Sequence, residues 1–435
     1  IFMKETSIYF KRRKKLARLM QNNSIVILEA ATEKTRNNDS LFRYRQCSNF
    51  YYLTGYNLPN AVLFIIKKNN KLISHFFTKK PNKHDEVWSG KLDNSSKICK
   101  TLSMDKCNYI DNINTHLDFY LKNCLTVCHS LDKFSNLKQL IEDKTESLQK
   151  KYRQGAEYPS KIISLNKMLH KIRLIKSSEE ISQIKKACDI SVRAHKDLMK
   201  ACRPGLNERQ LEAGLIHEFR KSNASEAYTS IVASGKNACT LHYIQNNSTM
   251  KDGDLLLTDA AAEYMNYASD LTRTIPVNGK FTDTQKSIYN IVLDAQKNAI
   301  KKCKIGNNLA NIHTEAIKIL TRGLIKLGLL KGKLENILKK EGYKKFYMHN
   351  TGHWMGLDVH DPCEYLEDKK PIKLKAGMIF TVEPGLYIKA DNSVPRKFHN
   401  IGIRIEDDIL ITKKGPIILT SGAPKDIDDI ERQMQ

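Results

Sequence analysis

Residues 254–276 read DLLLTDAAAEYMNYASDLTRTIP, and two aspartates within them govern how the rest of the chain is read. Leu255, Leu256 and Leu257 predict a buried strand that ends at Asp259. Further on, Tyr267, Leu271 and Ile275 alternate with Ala268, Asp270, Thr272 and Thr274, so a period of two puts Asp270 on a face of small and polar side chains. A hairpin centred between Tyr264 and Met265 sets Asp259 directly opposite Asp270. Cross-strand Cβ atoms lie roughly 4.5–5.5 Å apart and like charges there repel, so the pair needs protonation, solvent or a cation. Only Asn266 favours the left-handed conformation of a tight turn, which leaves a longer loop or a shifted register open.

The chain has 435 residues, enough for two or three domains with real cores. No apolar run approaches 18 residues, so no membrane span is expected. The basic N-terminal segment lacks the apolar stretch and small-residue cleavage site of a secretory signal. Ten scattered cysteines with no C-x-x-C read as reduced thiols, and the expected compartment is the cytoplasm. Lysine plus arginine outnumber acidic residues 72 to 47, a net charge of +25 that would suit nucleic acid or an anionic surface. The excess is dispersed lysine with no stripe of arginine and aromatic residues, so the partner expected is neither nucleic acid nor membrane.

Residues 1–172 alternate short apolar runs (SIVIL, AVLFIIKK, KLISHFF, NCLTVCHS) with helical stretches, which predicts an α/β domain. Tyr44–Gln46 and Asn49–Gly55 read as an aromatic-rich core strand, and the polar, basic stretch 150–174 reads as the linker. Ser177 with Glu180, and Thr282 with Gln285, are capping boxes, and Asn207 caps a further helix. Helices are predicted over 177–202, 208–222, 283–303 and 309–327. With strands between and after them, residues 173–435 form an α+β domain built on a largely antiparallel sheet.

That second half carries the chemistry. His349 and His353 flank a turn in HNTGHWMG, and His360 follows in LDVHD. In IFTVEPG, alternation sends Phe380 and Val382 to the core and Thr381 and Glu383 to the other face; Ile401, Ile403 and Ile405 likewise leave Gly402, Arg404 and Glu406 opposite them. Singly these are weak signals. Together, two aspartates, two glutamates and one histidine carry four negative charges, which balance two divalent cations and are untenable buried without them. Hard oxygen donors with one imidazole suit Mn²⁺, with Co²⁺, Zn²⁺ or Fe²⁺ as substitutes. Two metals sharing carboxylates acidify a water and polarise a carbonyl, which is hydrolase chemistry.

RYRQCSNFYYLTGY, TLHYIQNN, YASDLTRTIPVNGKFT, HNTGHWMGLDVHD, VEPGLYI and GIRIEDD span nearly the whole chain. In these stretches it resembles the Xaa-Pro aminopeptidases (aminopeptidase P) of bacterial type, which are pita-bread metallopeptidases. The resemblance implies an N-terminal aminopeptidase P domain over 1–172 that contributes oligomer contacts, and a catalytic pita-bread domain with a curved antiparallel sheet over 173–435. It implies a dinuclear manganese site held by Asp259, Asp270, His353, Glu383 and Glu406. Asp270 and Glu406 would bridge the metals; Asp259 would bind one, and His353 and Glu383 the other. Glu383 would also take the proton of the attacking water. His242 and His360 would contact substrate and steady the tetrahedral intermediate, while His349 and Arg404 would line the site, Arg404 by fixing a ligand carboxylate. Ala261 and Asn266 stand where the family usually has glycine, which touches turn geometry and no ligand. The loop around Lys369, Lys370 and Pro371 is assigned no binding residue.

The implied activity is release of an N-terminal residue from peptides with proline second. A prolidase restricted to Xaa-Pro dipeptides shares all five ligands, and a non-catalytic pita-bread binding module would usually have lost some. A homo-oligomer, dimer or tetramer, is implied as well, with Trp88 a candidate to cap a neighbouring subunit's site.

Overall fold

The structure, a computed structural model, describes residues 2–122, 124–130 and 136–435. The chain falls into two compact units, Ile1–Ile172 and Arg173–Gln435.

The first unit is built on a six-stranded sheet in the order Lys106–Tyr109, Lys71–Thr78, Ala61–Lys68, Ser24–Glu29, Thr126–His129, Lys161–Ser164. The three central strands pair antiparallel, and the three outer ones join them in parallel. Residues 61–66 are all buried, as a continuous apolar run requires when both faces of a strand are covered. Ile25, Ile27, Phe64, Phe77 and Val127 pack there against Leu117 and Leu121 of the Ile113–Leu121 helix. The basic N-terminal cluster has a structural use. Arg12 donates to the Tyr52 carbonyl at 3.2 Å, and Arg13, with no exposed surface, donates to Leu53 (2.9 Å), Leu102 (3.0 Å) and Ser103 (2.6 Å). These carbonyls close the C-terminal ends of two helices, where a cation is favoured.

Two expectations for this unit are corrected. Asn49–Gly55 is a helix, Ser48–Thr54, ended by Gly55 in the left-handed conformation with its N–H on the Tyr51 carbonyl. Phe50, Tyr51, Tyr52 and Leu53 are all buried, so no 3.6-residue pattern is visible in a helix covered on every side. The stretch 150–174 is no linker: it supplies the edge strand Lys161–Ser164 and the helix Leu165–Arg173. Leu165, Leu169 and Ile172 are buried at helical spacing, a signal diluted by intervening lysines and asparagine.

In the second unit every described strand pair is antiparallel. Helices Ser178–Ala201, Glu208–Lys221, Asp283–Lys301 and Leu309–Lys326 fall within two residues of their predicted bounds, and both capping boxes form. Ile231–Ser234, Leu255–Asp259 and Thr272–Pro276 make one three-stranded sheet; Ile379–Val382, Asp407–Thr412 and Gly415–Ile418 make another. The central hairpin turns one residue later than expected. Met265 (φ 52°) and Asn266 (φ 62°) are both left-handed, the geometry of a type I′ turn. Tyr264 therefore pairs with Tyr267 and Asp259 with Thr272, while Asp270 sits in the unpaired stretch between the two ladders.

Candidate active site

The five predicted ligands lie at the ends of strands or beside them, where a side chain can leave the sheet without disturbing its ladder. Asp259 ends its strand, Glu383 follows Ile379–Val382, and Glu406 joins Ile401–Arg404 to Asp407–Thr412. The segment carrying His353 runs beside Ile379–Val382: Thr381 N–H reaches the His353 carbonyl at 3.0 Å and Glu383 N–H the Thr351 carbonyl at 2.8 Å. Gly352 is obligatory in that approach, since a Cβ there would stand 1.9 Å from the Thr381 carbonyl oxygen. Across the site, Glu406 N–H donates to the Thr272 carbonyl at 3.1 Å, which ties its strand to the hairpin.

The side chains converge. His353 Nε2 lies 3.2 Å from Asp270 Oδ2 and 3.6 Å from Glu383 Oε1. One donor atom each from Asp270, His353 and Glu406 falls within 4.8 Å of the others. Although Asp259 does not face Asp270 in the hairpin register, the Tyr228 hydroxyl stands 2.6 Å from an oxygen of each. Arg404 Nη2 donates to Asp259 Oδ2 at 2.6 Å, and Thr272 Oγ1 to Glu406 Oε2 at 2.6 Å. Thr381 Oγ1 accepts the His353 N–H and donates to Glu383 Oε1, both at 3.1 Å.

Proton positions in the supporting network follow from the partners. His349 Nδ1 faces the Asn350 carbonyl at 2.7 Å, so it carries the proton, and Nε2 accepts from the Tyr387 hydroxyl at 2.8 Å. Burial, with Arg404 nearby, holds His349 down to about 3, in keeping with a neutral ring. The Tyr387 oxygen accepts Arg404 Nη1–H at 2.9 Å, and Arg404 Nε reaches Thr272 Oγ1 at 3.2 Å. One chain of hydrogen bonds thus links His349 to Asp259 and Glu406.

The electrostatics are those of too many anions in too little water. Burial and then Asp270, Glu383 and Asp259 push Glu406 well above the carboxylate range. Burial likewise raises Glu383 to about 7, with His353 opposing, and raises Asp259 against the pull of Arg404. His353 goes up to about 9: burial lowers it, and Asp270 and Glu383 outweigh burial. Four carboxylates and one imidazole held this closely have the donor chemistry of a site for hard divalent cations, whose charge would reverse these shifts.

The cluster opens into a cavity of about 650 Å³, whose walls include Ile231, Leu241, His242, Val359 and His360. The His360 ring stands edge-on to His353 at 4.3 Å, and its pKa is lowered by burial and then by His353. His242 is exposed on its loop. All nine predicted site residues therefore contribute to this one cavity. Tyr228, Thr272, Thr381 and Tyr387 were missed. Thr272 and Thr381 share a strand face with an acid, a signal that alternation offered; Tyr228 lies on a loop and Tyr387 in a fully buried strand, where no pattern marks them. Lys369 stands in the turn of a small hairpin, Leu366–Glu367 with Lys370–Pro371, and Trp88 is exposed on the first unit.

This is the fold and donor set of a metal-dependent hydrolase of α+β pita-bread type that follows an α/β domain in the sequence. The metallopeptidase family M24 matches residues 182–413, and the aminopeptidase P N-terminal domain matches residues 9–128. The chain is 40% identical to the Xaa-Pro aminopeptidase of Escherichia coli (strain K12), covering 98% of this chain and 96% of that one. A solved structure of the Pseudomonas aeruginosa aminopeptidase PepP superposes with a TM-score of 0.96 at 41% identity, covering 99% of this chain and 98% of that one. Zinc-substituted E. coli aminopeptidase P in complex with product does so at 0.96 and 39%, with 99% and 98% covered. The chain belongs to metallopeptidase family M24 and carries the aminopeptidase P N-terminal domain.

Proposed function

We propose that this protein is a manganese-dependent exopeptidase that releases the N-terminal residue from peptides with proline second. The observation that carries this reading is the convergence of Asp259, Asp270, His353, Glu383 and Glu406 on one cavity, with no ligand type missing. A binding module without catalysis has no need of such a costly set of buried carboxylates. In this reading those five residues would hold two divalent cations, which would supply Lewis acidity toward the scissile carbonyl and acidify a water toward neutrality. Glu383, oriented by Thr381, takes the proton of the attacking water and returns it to the proline nitrogen. His360 and His242 steady the developing negative charge on the carbonyl oxygen. Arg404, with Tyr387 and His349 behind it, opposes protonation of Asp259 and aims it.

Peptides are the expected partners, and the expected compartment is the cytoplasm; no described helix is long and apolar enough to cross a membrane. Val87 and Trp88, 83% and 78% exposed on the first unit, support self-association to a dimer or tetramer through that unit. The reading is tested by comparing an Xaa-Pro-Xaa tripeptide, an Xaa-Pro dipeptide and an Xaa-Ala-Xaa tripeptide. Cleavage of the first well above the other two is expected. Cleavage of the dipeptide alone would make the protein a prolidase, and cleavage of none would remove the catalytic reading.

A further inference from the structure

His242 and His360 both line the cavity, and each sits on a loop that has no ladder of its own to fix it. Each loop is tied down by one buried carboxylate that does not line the cavity. Glu208, the first residue of its helix, has no exposed surface and receives five hydrogen bonds. Its Oε1 accepts from Ser234 N–H (2.7 Å), Ser234 Oγ (2.7 Å) and Asn237 Nδ2 (3.0 Å); Oε2 accepts from Tyr243 OH (2.8 Å) and Ser248 N–H (2.9 Å). Tyr243 adjoins His242, and Ser248 closes the loop. Flanking residues add to the grip: Asn207 Nδ2 holds the Asn247 carbonyl and Arg209 Nη2 the Gln245 carbonyl, each at 2.9 Å.

Asp361 adjoins His360 and is equally buried. Its Oδ1 is bonded by Arg173 and its Oδ2 by Lys176 Nζ at 3.1 Å, with both cations buried too. Arg173 also reaches Asp358 at 2.7 Å on the near side of His360, and Asp361 N–H donates to the Trp354 carbonyl at 2.8 Å. A Cβ on Gly356 would come within 2.9 Å of Asp361 Oδ2, so the loop is packed onto its anchor without slack.

We propose that Glu208 and Asp361 are positioning residues, one for each cavity histidine: Glu208 sets His242 and Asp361, with Arg173 and Lys176, sets His360. The proposal rests on the peptidase reading above. A carboxylate with five donors, or one between two cations, defines a single loop position, and neutralising it orphans several buried groups at once.

The test is a set of double-mutant cycles on the manganese-loaded full chain, measuring kcat and KM for an Xaa-Pro-Xaa peptide together with metal content. Glu208→Gln is expected to lower kcat about tenfold at unchanged metal content. In a His242→Ala background it should cost less than about twofold, and in a His360→Ala background its full cost should remain. Asp361→Asn should behave as the mirror image, silent in His360→Ala and fully costly in His242→Ala. Where either variant fails to fold, Tyr243→Phe, which removes the bond to Glu208 with the longer contacts to Asn247 and Ser248, and Lys176→Met, which removes the bond to Asp361, carry the same expectations. Equal losses in both histidine backgrounds would overturn the proposal, because the carboxylates would then be general scaffold. Turnover by the wild type with unlinked cycles would overturn this proposal alone, whereas absence of any cleavage would overturn the peptidase reading with it.

Discussion

Asp270 is the residue on which the site depends most, because it lies within reach of His353 and Tyr228 and beside Glu406. Two cations held near one another repel, and only shared anionic oxygens keep them in place. Asp270→Asn should therefore lose at least one metal and all turnover; two tightly bound metals with near-normal activity would remove it from the ligand set. His360 is expected to act on charge that develops after substrate is bound. His360→Ala should lower kcat by about 10² with KM changed far less and metal retained. A loss confined to KM would make it a substrate-binding group only. A third expectation concerns acid. Asp361, held between Arg173 and Lys176, lies at about 2 against an ordinary 3.8. A depressed folded-state pKa stabilises above the unfolded value and is lost as pH falls through the folded one. It should thus contribute about 2 kcal/mol at neutral pH, disappearing between about pH 4 and pH 2. Denaturant titrations of wild type and Asp361→Asn should converge across that window, and a gap independent of pH would contradict the assignment. Of these residues, Asp270 and Glu406 were legible because an acid breaks an apolar alternation, and His353 and His360 as histidines gathered around a turn; Tyr228 and Asp361 were not, since neither a phenol nor an acid on a loop breaks a pattern.

The central hairpin shows what a sequence withholds at the scale of an element. Its strands and both aspartates were legible from alternation, while the turn was placed one residue early because Met265 gives no hint that it will adopt a left-handed backbone. A non-glycine residue there costs roughly 1–2 kcal/mol. Met265→Asn with Asn266→Gly should restore the preferred type I′ pair, and since Met265 is 46% exposed little packing is lost. Thermal unfolding should shift upward with activity unchanged; a lower Tm would mean that the turn is held by contacts rather than strained. Capping boxes were the most dependable signals, because Ser177–Glu180 and Thr282–Gln285 bond only within four residues and need no tertiary partner. The helix Ser48–Thr54 and the edge strand Lys161–Ser164 failed for opposite reasons. One is buried on every side and so lacks a polar face; the other is exposed along much of its length and so lacks an apolar one.

Across the whole molecule, the proposed ligands lie far apart in the sequence, from Asp259 to Glu406, and antiparallel pairing brings them together. Alternation along each strand indicated which side chains share a face, but not that Glu406 would dock on the carbonyl of Thr272. The large positive charge proved a poor guide to organisation: part of it, Arg12, Arg13, Arg173, Lys176 and Arg273, is buried against carbonyls and carboxylates. The central claim is that four largely buried carboxylates and His353 form a two-metal catalytic centre. It is tested most directly by stripping the protein with a chelator and titrating Mn²⁺ back while following hydrolysis of an Xaa-Pro-Xaa peptide and bound metal together. The account predicts no turnover in the stripped protein and activity that saturates at two metals per chain. Full turnover by metal-free protein, or metal that binds without restoring any cleavage, would contradict it.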